Sequence, residues 1–123
     1  MTKNLDEEGL KSIVDQYDLF FIDLWGVIHN GIQLYPEAIN VLENLSKLKK
    51  RFVLMSNAPR PAKNVEKFLL KLKMNKKFCK NIFTSGEAAL KSLKINSYGK
   101  NFYHLGPARD CSLFQGFEKN KKI

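Results

Sequence analysis

The fold is decided by the stretch Leu19-Phe20-Phe21-Ile22-Asp23-Leu24-Trp25-Gly26-Val27. Its first four residues are apolar without interruption, which predicts a short strand buried on both faces. The strand ends at an acidic residue, Asp23, and Gly26 opens an irregular segment immediately afterwards. A carboxylate at the tip of a buried strand is costly unless a cation or hydrogen-bond donors meet it. This stretch therefore predicts both a strand and a candidate site at its end.

The same order of strand and helix repeats downstream. Apolar runs at residues 52–55, 82–84 and 102–105 predict three more strands. Apolar residues at helical spacing predict helices that begin at Pro36, after Pro59 and after Ser85. Strands that alternate with helices predict right-handed crossovers and a mostly parallel sheet, so we expect a Rossmann-like, three-layer α/β fold. Ligands bind at the carboxyl ends of such strands, where Asp23 and Ser56 lie.

Length and composition fit one small folded domain. The chain has 123 residues, of which 44% are hydrophobic and 27% charged, and this composition excludes disordered and collagen-like proteins. Two cysteines 32 positions apart, Cys79 and Cys111, indicate neither a disulfide framework nor a zinc site. The sequence shows no signal peptide and no apolar run of 18 residues, so we expect a cytoplasmic protein with no membrane partner.

The net charge of +9 is unevenly distributed. Residues 1–40 hold two bases and seven acids, whereas the remaining residues hold nineteen bases and five acids. This polarity would favour an anionic ligand near the basic part. However, eighteen of the 21 bases are lysines, which suit a solvated surface better than bidentate recognition of phosphate. The basic run at residues 67–80 predicts an amphipathic surface helix and argues against nucleic-acid binding.

Two roles fit Asp23 on position alone. Mg²⁺ is typically held by one or two carboxylates together with backbone oxygen, water and substrate phosphate, so Asp23 is a candidate ligand. Alternatively, Asp23 stabilises a turn by accepting hydrogen bonds from backbone N–H groups. The strand and the loop alone leave both roles open.

Several segments, taken in order, resemble the haloacid dehalogenase (HAD) superfamily and its NagD-like subfamily IIA. DLWGV at residues 23–27 resembles motif I, and FVLMSN at residues 52–57 resembles motif II. The finer features of subfamily IIA are resembled by GVIHNG at 26–31, YPEA at 35–38, SNAPR at 56–60 and IFTSGEA at 82–88. The resemblance extends from about residue 19 to residue 106 and implies a HAD-like hydrolase.

The resemblance implies a Mg²⁺-dependent phosphatase that acts on a small phosphorylated metabolite. Asp23 matches the nucleophile that forms an aspartyl-phosphate, and Ser56 matches the hydroxyl that binds the phosphoryl group. Asn57 and Gly26 would help to bind the substrate. Asp23 and the main-chain carbonyl of Trp25 would bind Mg²⁺. Residues 28–35 match the flap of the superfamily. The alternative for Ser56 and Asn57 is a helix-capping turn.

Two departures from the family pattern lead us to expect slow turnover. Trp25 occupies the position at which most HAD phosphatases carry a second Asp, and an indole N–H cannot act as general acid and base. Motifs III and IV lie beyond the cap domain in this family, and the sequence does not reach them. We therefore expect residues 1–95 to form the N-terminal part of the core and residues 96–123 to begin a truncated cap.

The alternative function is a non-catalytic module that binds an anionic partner or assembles with another chain. A remnant of this kind would expose a sheet edge and apolar surface, so it could self-associate or pair with a separately encoded C-terminal half. We expect His29 and His104 to be packed or surface histidines, because neither has metal-ligand spacing to the other or to a cysteine. Both cysteines are expected to be inert.

Overall fold

The computed structural model describes residues 4–122. Short 3₁₀ turns at Leu10–Ser12, Val14–Gln16, Lys76–Lys80 and Ala108–Phe114 connect the main elements. In chain order, the helices and strands are α1 (Leu5–Glu8), β1 (Leu19–Asp23), α2 (Pro36–Lys47), β2 (Arg51–Ser56), α3 (Ala62–Lys71), β3 (Ile82–Thr84), α4 (Ser85–Lys94), β4 (Phe102–Tyr103) and β5 (Lys121–Lys122).

The main sheet contains β1, β2 and β3 in that order, and both strand pairs are parallel. Asp23 lies level with Met55, and Ser56 lies level with Thr84. Parallel neighbours need a crossover, which α2 supplies between β1 and β2 and α3 supplies between β2 and β3. The predicted Rossmann-like α/β fold is confirmed, and the strands end together at one edge of the sheet.

The core lies on the face of the sheet that carries Leu54, which is completely buried. From α2, Pro36 occupies the first turn, where its missing N–H is not needed, and Leu42 is fully buried. From α3, Leu69 is also fully buried in the same cluster. Burial of each such leucine stabilises the fold by about 1.5–3 kcal/mol. These residues join the sheet and the two helices in one core cluster.

The opposite face of the sheet is largely uncovered among the described residues. Phe21 is 68% exposed, and the side chains of Leu19, Met55 and Phe83 on the same face are 37–38% exposed. The prediction that β1 is buried on both faces was wrong, because Leu19 and Phe21 are exposed and the strand alternates exposed and half-buried residues. Within residues 4–122, the third layer that the sequence predicts does not lie over this face of the sheet, so Phe21 is uncovered.

Two boundaries also differ from the sequence predictions. The predicted strand at residues 102–105 is only two residues long and pairs with β5 in a separate sheet, because Leu105 is exposed and His104 packs on Phe114 instead. The predicted helix through residues 67–80 ends at Lys71, since Lys73 adopts a left-handed φ of 66°. The division at residue 95 into core and cap stays a prediction.

Helix α4 begins directly against the loop that follows β2. The Gly86 N–H donates a hydrogen bond to the Ala58 carbonyl at 3.1 Å. A Cβ atom at position 86 would collide with the backbone of Arg60. Gly86 is therefore required by close contact between two backbones, and it places α4 against the loop.

The Gly86→Ala substitution tests this contact. Alanine favours a helix over glycine by about 0.5–1 kcal/mol, so a gain in stability would be expected if space were available. We expect instead that the free energy of unfolding falls by about 1–3 kcal/mol, because the added methyl group overpacks the site. Urea unfolding followed by circular dichroism measures the change.

Ala89→Gly is the matched control, since Ala89 is exposed on the same helix. It should lower stability by only about 0.5–1 kcal/mol through helix propensity. A Gly86→Ala protein as stable as the wild type would contradict the contact between α4 and the loop.

Candidate active site at the carboxyl end of the sheet

Asp23 is the last residue of β1, and its side chain is exposed. Its Oδ1 accepts a hydrogen bond from the Leu24 N–H at 2.8 Å. This bond is the turn-stabilising contact that the sequence left open as an alternative role. A single backbone donor does not enclose an exposed carboxylate, so Asp23 remains accessible to a ligand.

The loop after β1 turns back at once on itself. Gly26 adopts a φ of 77°, and its N–H donates to the His29 carbonyl at 2.8 Å. Gly31, with a φ of 88°, packs so closely on Trp25 that a Cβ there would collide with the indole. Gly26 therefore has its observed role in a hydrogen-bonded turn, and the role of residues 28–35 as a flap stays a prediction.

His29 is buried at the base of this loop, with 5% of its surface exposed. Its Nδ1 accepts a hydrogen bond from the Gly31 N–H at 3.0 Å, which places the proton of the neutral ring on Nε2. The ring contacts Trp25 and Phe68 edge-on, with centroids 5.6 and 5.3 Å away. Burial lowers the pKa of His29, and the charge of Asp23 partly opposes this effect. The expectation that His29 is packed is confirmed.

Ser56 and Asn57 begin the loop that follows β2. The Ser56 Oγ accepts a hydrogen bond from the Ala58 N–H at 3.1 Å, as expected of a turn-forming serine. The Asn57 carbonyl accepts a hydrogen bond from the Ser85 hydroxyl at 2.9 Å, while Asn57 itself is exposed. Ser56 therefore stabilises a turn, and its position at the strand end also suits a ligand-binding hydroxyl.

Residues at the start of α4 hold this loop in place. The fully buried Thr84 hydroxyl donates to the Arg60 carbonyl at 2.6 Å and accepts from the Glu87 N–H at 3.0 Å. Glu87 in turn accepts a hydrogen bond from the Ala62 N–H at 3.1 Å. The pattern Thr-x-x-Glu is a helix-start signal in the sequence, but nothing local shows that its Glu reaches another helix.

A cavity of about 260 Å³ lies beside these strand ends. The sequence-predicted residues Ser56, Asn57 and Trp25 line it together, whereas Asp23 and Gly26 do not line it. The residue after Asp23, Leu24, is part of the wall, while Asp23 itself lies level with Met55 in the sheet. The cavity wall also contains residues that the sequence did not indicate, namely His29, Arg60, Asn64 and Phe68.

Arg60 forms an ion pair with a distant residue, Asp110. The Arg60 Nε lies 3.6 Å from Asp110 Oδ1, and the two side chains are 48% and 10% exposed. Asp110 Oδ1 is buried without a hydrogen bond from the described residues. No local signal in the sequence relates positions 50 residues apart, so this pair could not be predicted.

A larger cavity, of about 680 Å³, lies between the N-terminal segment and α2. It contains none of the predicted site residues. It is separate from the strand ends at which ligands bind in parallel α/β sheets, so it does not define the candidate site.

The described residues fit a Mg²⁺ ion only in part. Asp23 offers an exposed carboxylate and Trp25 a main-chain carbonyl, and both are oxygen ligands of the kind that Mg²⁺ takes. Within residues 4–122, no group of three or more His, Cys, Asp or Glu side chains could hold a metal ion. The remaining ligands would have to come from water and a bound phosphate.

Other candidate residues lie away from the site. The His104 ring packs on Phe114 with centroids 4.7 Å apart. Burial raises the pKa of Cys79, and Glu66 adds to the effect, so its thiol stays protonated. Cys111 is exposed. Among the described residues, no helix is both long and apolar enough to span a bilayer.

The lowered pKa of His29 predicts a pH dependence of stability. The unfolded chain binds a proton at His29 near pH 6.5, whereas the folded chain does so only at lower pH. Stability is therefore complete above about pH 6.5 and decreases as the pH falls below it. Urea unfolding between pH 7.5 and 5.5 should show a shallower pH dependence for His29→Gln than for the wild type. His104→Gln, the same change at the other histidine, is the control. If the free energy of unfolding of His29→Gln changed with pH as steeply as that of the wild type, the prediction would be contradicted.

Comparison with known proteins agrees with this architecture. The structure is similar to a hydrolase of the haloacid dehalogenase-like family from Brucella suis 1330, with a TM-score of 0.75, 28% identity, and coverage of 87% of this chain and 39% of that chain. It is also similar to the 4-nitrophenylphosphatase of Thermotoga maritima (TM-score 0.65, 23% identity, covering 85% of this chain and 40% of that one). A putative nagD protein gives a TM-score of 0.63 at 23% identity, covering 84% and 41%.

The chain spans about two fifths of the length of these structures. The two likenesses at 23% identity concern the fold alone. No curated protein matches the sequence. The family model for haloacid dehalogenase-like hydrolases matches residues 20–118, which is most of the chain. The chain therefore belongs to the haloacid dehalogenase-like hydrolase family.

Proposed function

We propose that this chain contributes the nucleophilic half of a phosphatase site that hydrolyses a small phosphorylated metabolite. The observation that supports this most directly is the exposed Asp23 carboxylate at the carboxyl end of β1, beside the strand end that carries Ser56. A carboxylate nucleophile must be accessible, and Asp23 is held by only one backbone hydrogen bond. Membership of the haloacid dehalogenase-like hydrolase family is consistent with a hydrolytic reaction of this kind.

The proposed reaction has two displacements at phosphorus. An oxygen of Asp23 attacks the phosphorus atom, the bond to the ester oxygen breaks, and the alcohol leaves with a proton from solvent. Water then attacks the aspartyl-phosphate, which releases inorganic phosphate and restores the carboxylate. The Ser56 hydroxyl and the side chain of Asn57 would donate hydrogen bonds to the phosphoryl oxygens as charge develops on them.

Mg²⁺ is the proposed cofactor. The Asp23 carboxylate and the Trp25 carbonyl would hold it, and the bound ion would neutralise charge on the phosphoryl oxygens. With only part of the shell supplied by the described residues, we expect weak binding of the ion. We place the reaction in the cytoplasm, with no membrane or nucleic-acid partner.

Among the residues that the structure describes around Asp23, we identify no group that would transfer protons efficiently. Trp25 cannot act as general acid and base, and such help is typically worth about 10²–10⁴ in rate. His29 is neutral because burial lowers its pKa, and its Nδ1 is already bonded to Gly31. We therefore expect the 123-residue chain to turn over very slowly.

Hydrolysis of p-nitrophenyl phosphate by the 123-residue chain in MgCl₂ tests the proposal. We expect slow release of nitrophenol that Asp23→Asn reduces to the rate of the buffer, because an amide cannot form the acyl phosphate. Addition of EDTA should have the same effect. Asp18→Asn is the matched control, since Asp18 is an exposed carboxylate on the amino-terminal side of β1. Equal rates for the wild type and Asp23→Asn would refute the role of Asp23.

A second candidate function is assembly with further polypeptide through the uncovered face of the sheet. Phe21, Met55 and Phe83 form a contiguous apolar patch there, and large exposed patches usually mark interaction sites. We propose that the occupant is polypeptide outside residues 1–123 that corresponds to the part of the similar structures that this chain does not span. That occupant would supply the third layer of the fold.

The Phe21→Lys substitution tests the apolar patch. With its face uncovered, the 123-residue chain should bind the dye 8-anilinonaphthalene-1-sulfonate and self-associate in sedimentation experiments. Phe21→Lys should reduce both effects because a charge interrupts the patch. Leu105→Lys is the control, since Leu105 is 87% exposed and lies outside the main sheet. Equal effects of the two substitutions would argue against assembly through this face, and a stable dimer would identify a second copy as the occupant.

A further inference from the structure

We propose that Arg60 recognises a second anionic group, a carboxylate or a phosphate, on the leaving part of the substrate. Arg60 is the cationic side chain of the cavity wall that also contains Ser56 and Trp25. The inference rests on the proposed function, because it assumes that the phosphoryl group lies between Asp23 and Ser56. It narrows the substrate class to phosphate monoesters that carry a further negative charge.

The position of the Arg60 backbone separates its charge from the reacting group. The Arg60 carbonyl is bonded to the Thr84 hydroxyl at the end of β3, whereas Asp23 ends β1 on the other side of β2. Two strand spacings amount to about 10 Å. A guanidinium that extends from the β3 side into the cavity would therefore meet the part of a bound ester that lies away from phosphorus.

Asp110 forms an ion pair with Arg60 but accepts no hydrogen bond from the Arg60 guanidinium. The distance of 3.6 Å between Arg60 Nε and Asp110 Oδ1 is an ion-pair contact beyond the range of a hydrogen bond. Asp110 is buried and is not among the residues that line the cavity, so it anchors the positive charge while the Arg60 side chain stays 48% exposed. A guanidinium held in this way presents a planar fork of N–H donors, which suits a carboxylate or a phosphate.

The remaining cavity wall indicates what joins the two anionic groups. The rings of Trp25, His29 and Phe68 lie edge to face along one side, and Asn64 adds one polar group. An apolar or aromatic linker would contact these rings, with the phosphoryl group at the strand ends and the second anion at Arg60. A phosphate monoester whose leaving part is uncharged would offer the Arg60 guanidinium no second anionic group.

Binding of three non-hydrolysable ligands to the 123-residue chain in MgCl₂ tests the inference. Benzylphosphonate carries one anionic group, 4-carboxybenzylphosphonate adds a carboxylate, and para-xylylene bisphosphonate adds a second phosphonate. Trp25 is the single tryptophan of the chain and lines the cavity, so its fluorescence reports binding. The variants are Arg60→Gln, Arg60→Lys and, as a matched control, Lys63→Gln, since Lys63 is an exposed base three residues away.

We expect the wild type to bind both ligands that carry a second anionic group more tightly than it binds benzylphosphonate. Arg60→Gln should reduce the ratio of these affinities about tenfold, because one charge-assisted hydrogen-bonded contact is lost. The affinity for benzylphosphonate should stay the same. Arg60→Lys should retain part of the preference, and Lys63→Gln all of it. The ligand that shows the larger loss identifies whether a carboxylate or a phosphate is preferred.

Two other outcomes overturn the inference in distinguishable ways. If the wild type binds benzylphosphonate but shows no preference for the ligands that carry a second anionic group, or if Arg60→Gln weakens all three ligands equally, the role of Arg60 is wrong and the proposed function stands. If folded wild-type protein binds none of the ligands, the proposed phosphoryl site fails and the inference fails with it. Circular dichroism establishes that each variant is folded.

Discussion

The structure depends on one buried hydroxyl group. Thr84 ends β3, and its side chain joins the Arg60 carbonyl to the Glu87 N–H. A buried hydroxyl without partners would be costly, so satisfaction of Thr84 requires the loop after β2 and the start of α4 to lie together. Because this loop begins with Asn57, directly after Ser56, hydrogen bonds at the end of the third strand help to position two of the candidate site residues.

Much of the fold could be predicted from sequence because its determinants are local. Apolar runs and helical spacing place the three strands of the main sheet and the helices between them, and Pro36 correctly marks the start of α2. The exposure of Phe21 could not be predicted in this way, since burial depends on what packs against a strand and a continuous apolar run looks the same in both cases. The length of β4 was predicted as four residues and is two. The strand that pairs with it, β5, lies 19 residues further along the chain, and a local apolar run does not show how far such a pairing extends.

The candidate site was predictable where chemistry is concentrated in short motifs. Asp23 and Ser56 end the neighbouring strands β1 and β2, and Trp25, Ser56 and Asn57 line one cavity, while their roles in a site stay predictions. The ion pair of Arg60 with Asp110 was not predictable, because it joins segments that only the folded chain brings together. Of the two candidate roles of Ser56, the structure shows the one in a turn, and the role in ligand binding stays a prediction.

The contact between Gly31 and the Trp25 indole limits how these two positions can vary. The left-handed backbone at position 31 already disfavours residues other than glycine, although asparagine and aspartate adopt such a backbone more often than the rest. The indole ring occupies the space into which their Cβ atoms would extend, so only glycine is compatible with tryptophan at position 25. A small side chain at position 25 would remove this collision and leave only the strain of the left-handed backbone at position 31. The two positions are thus expected to covary among homologues, with tryptophan at one accompanied by glycine at the other.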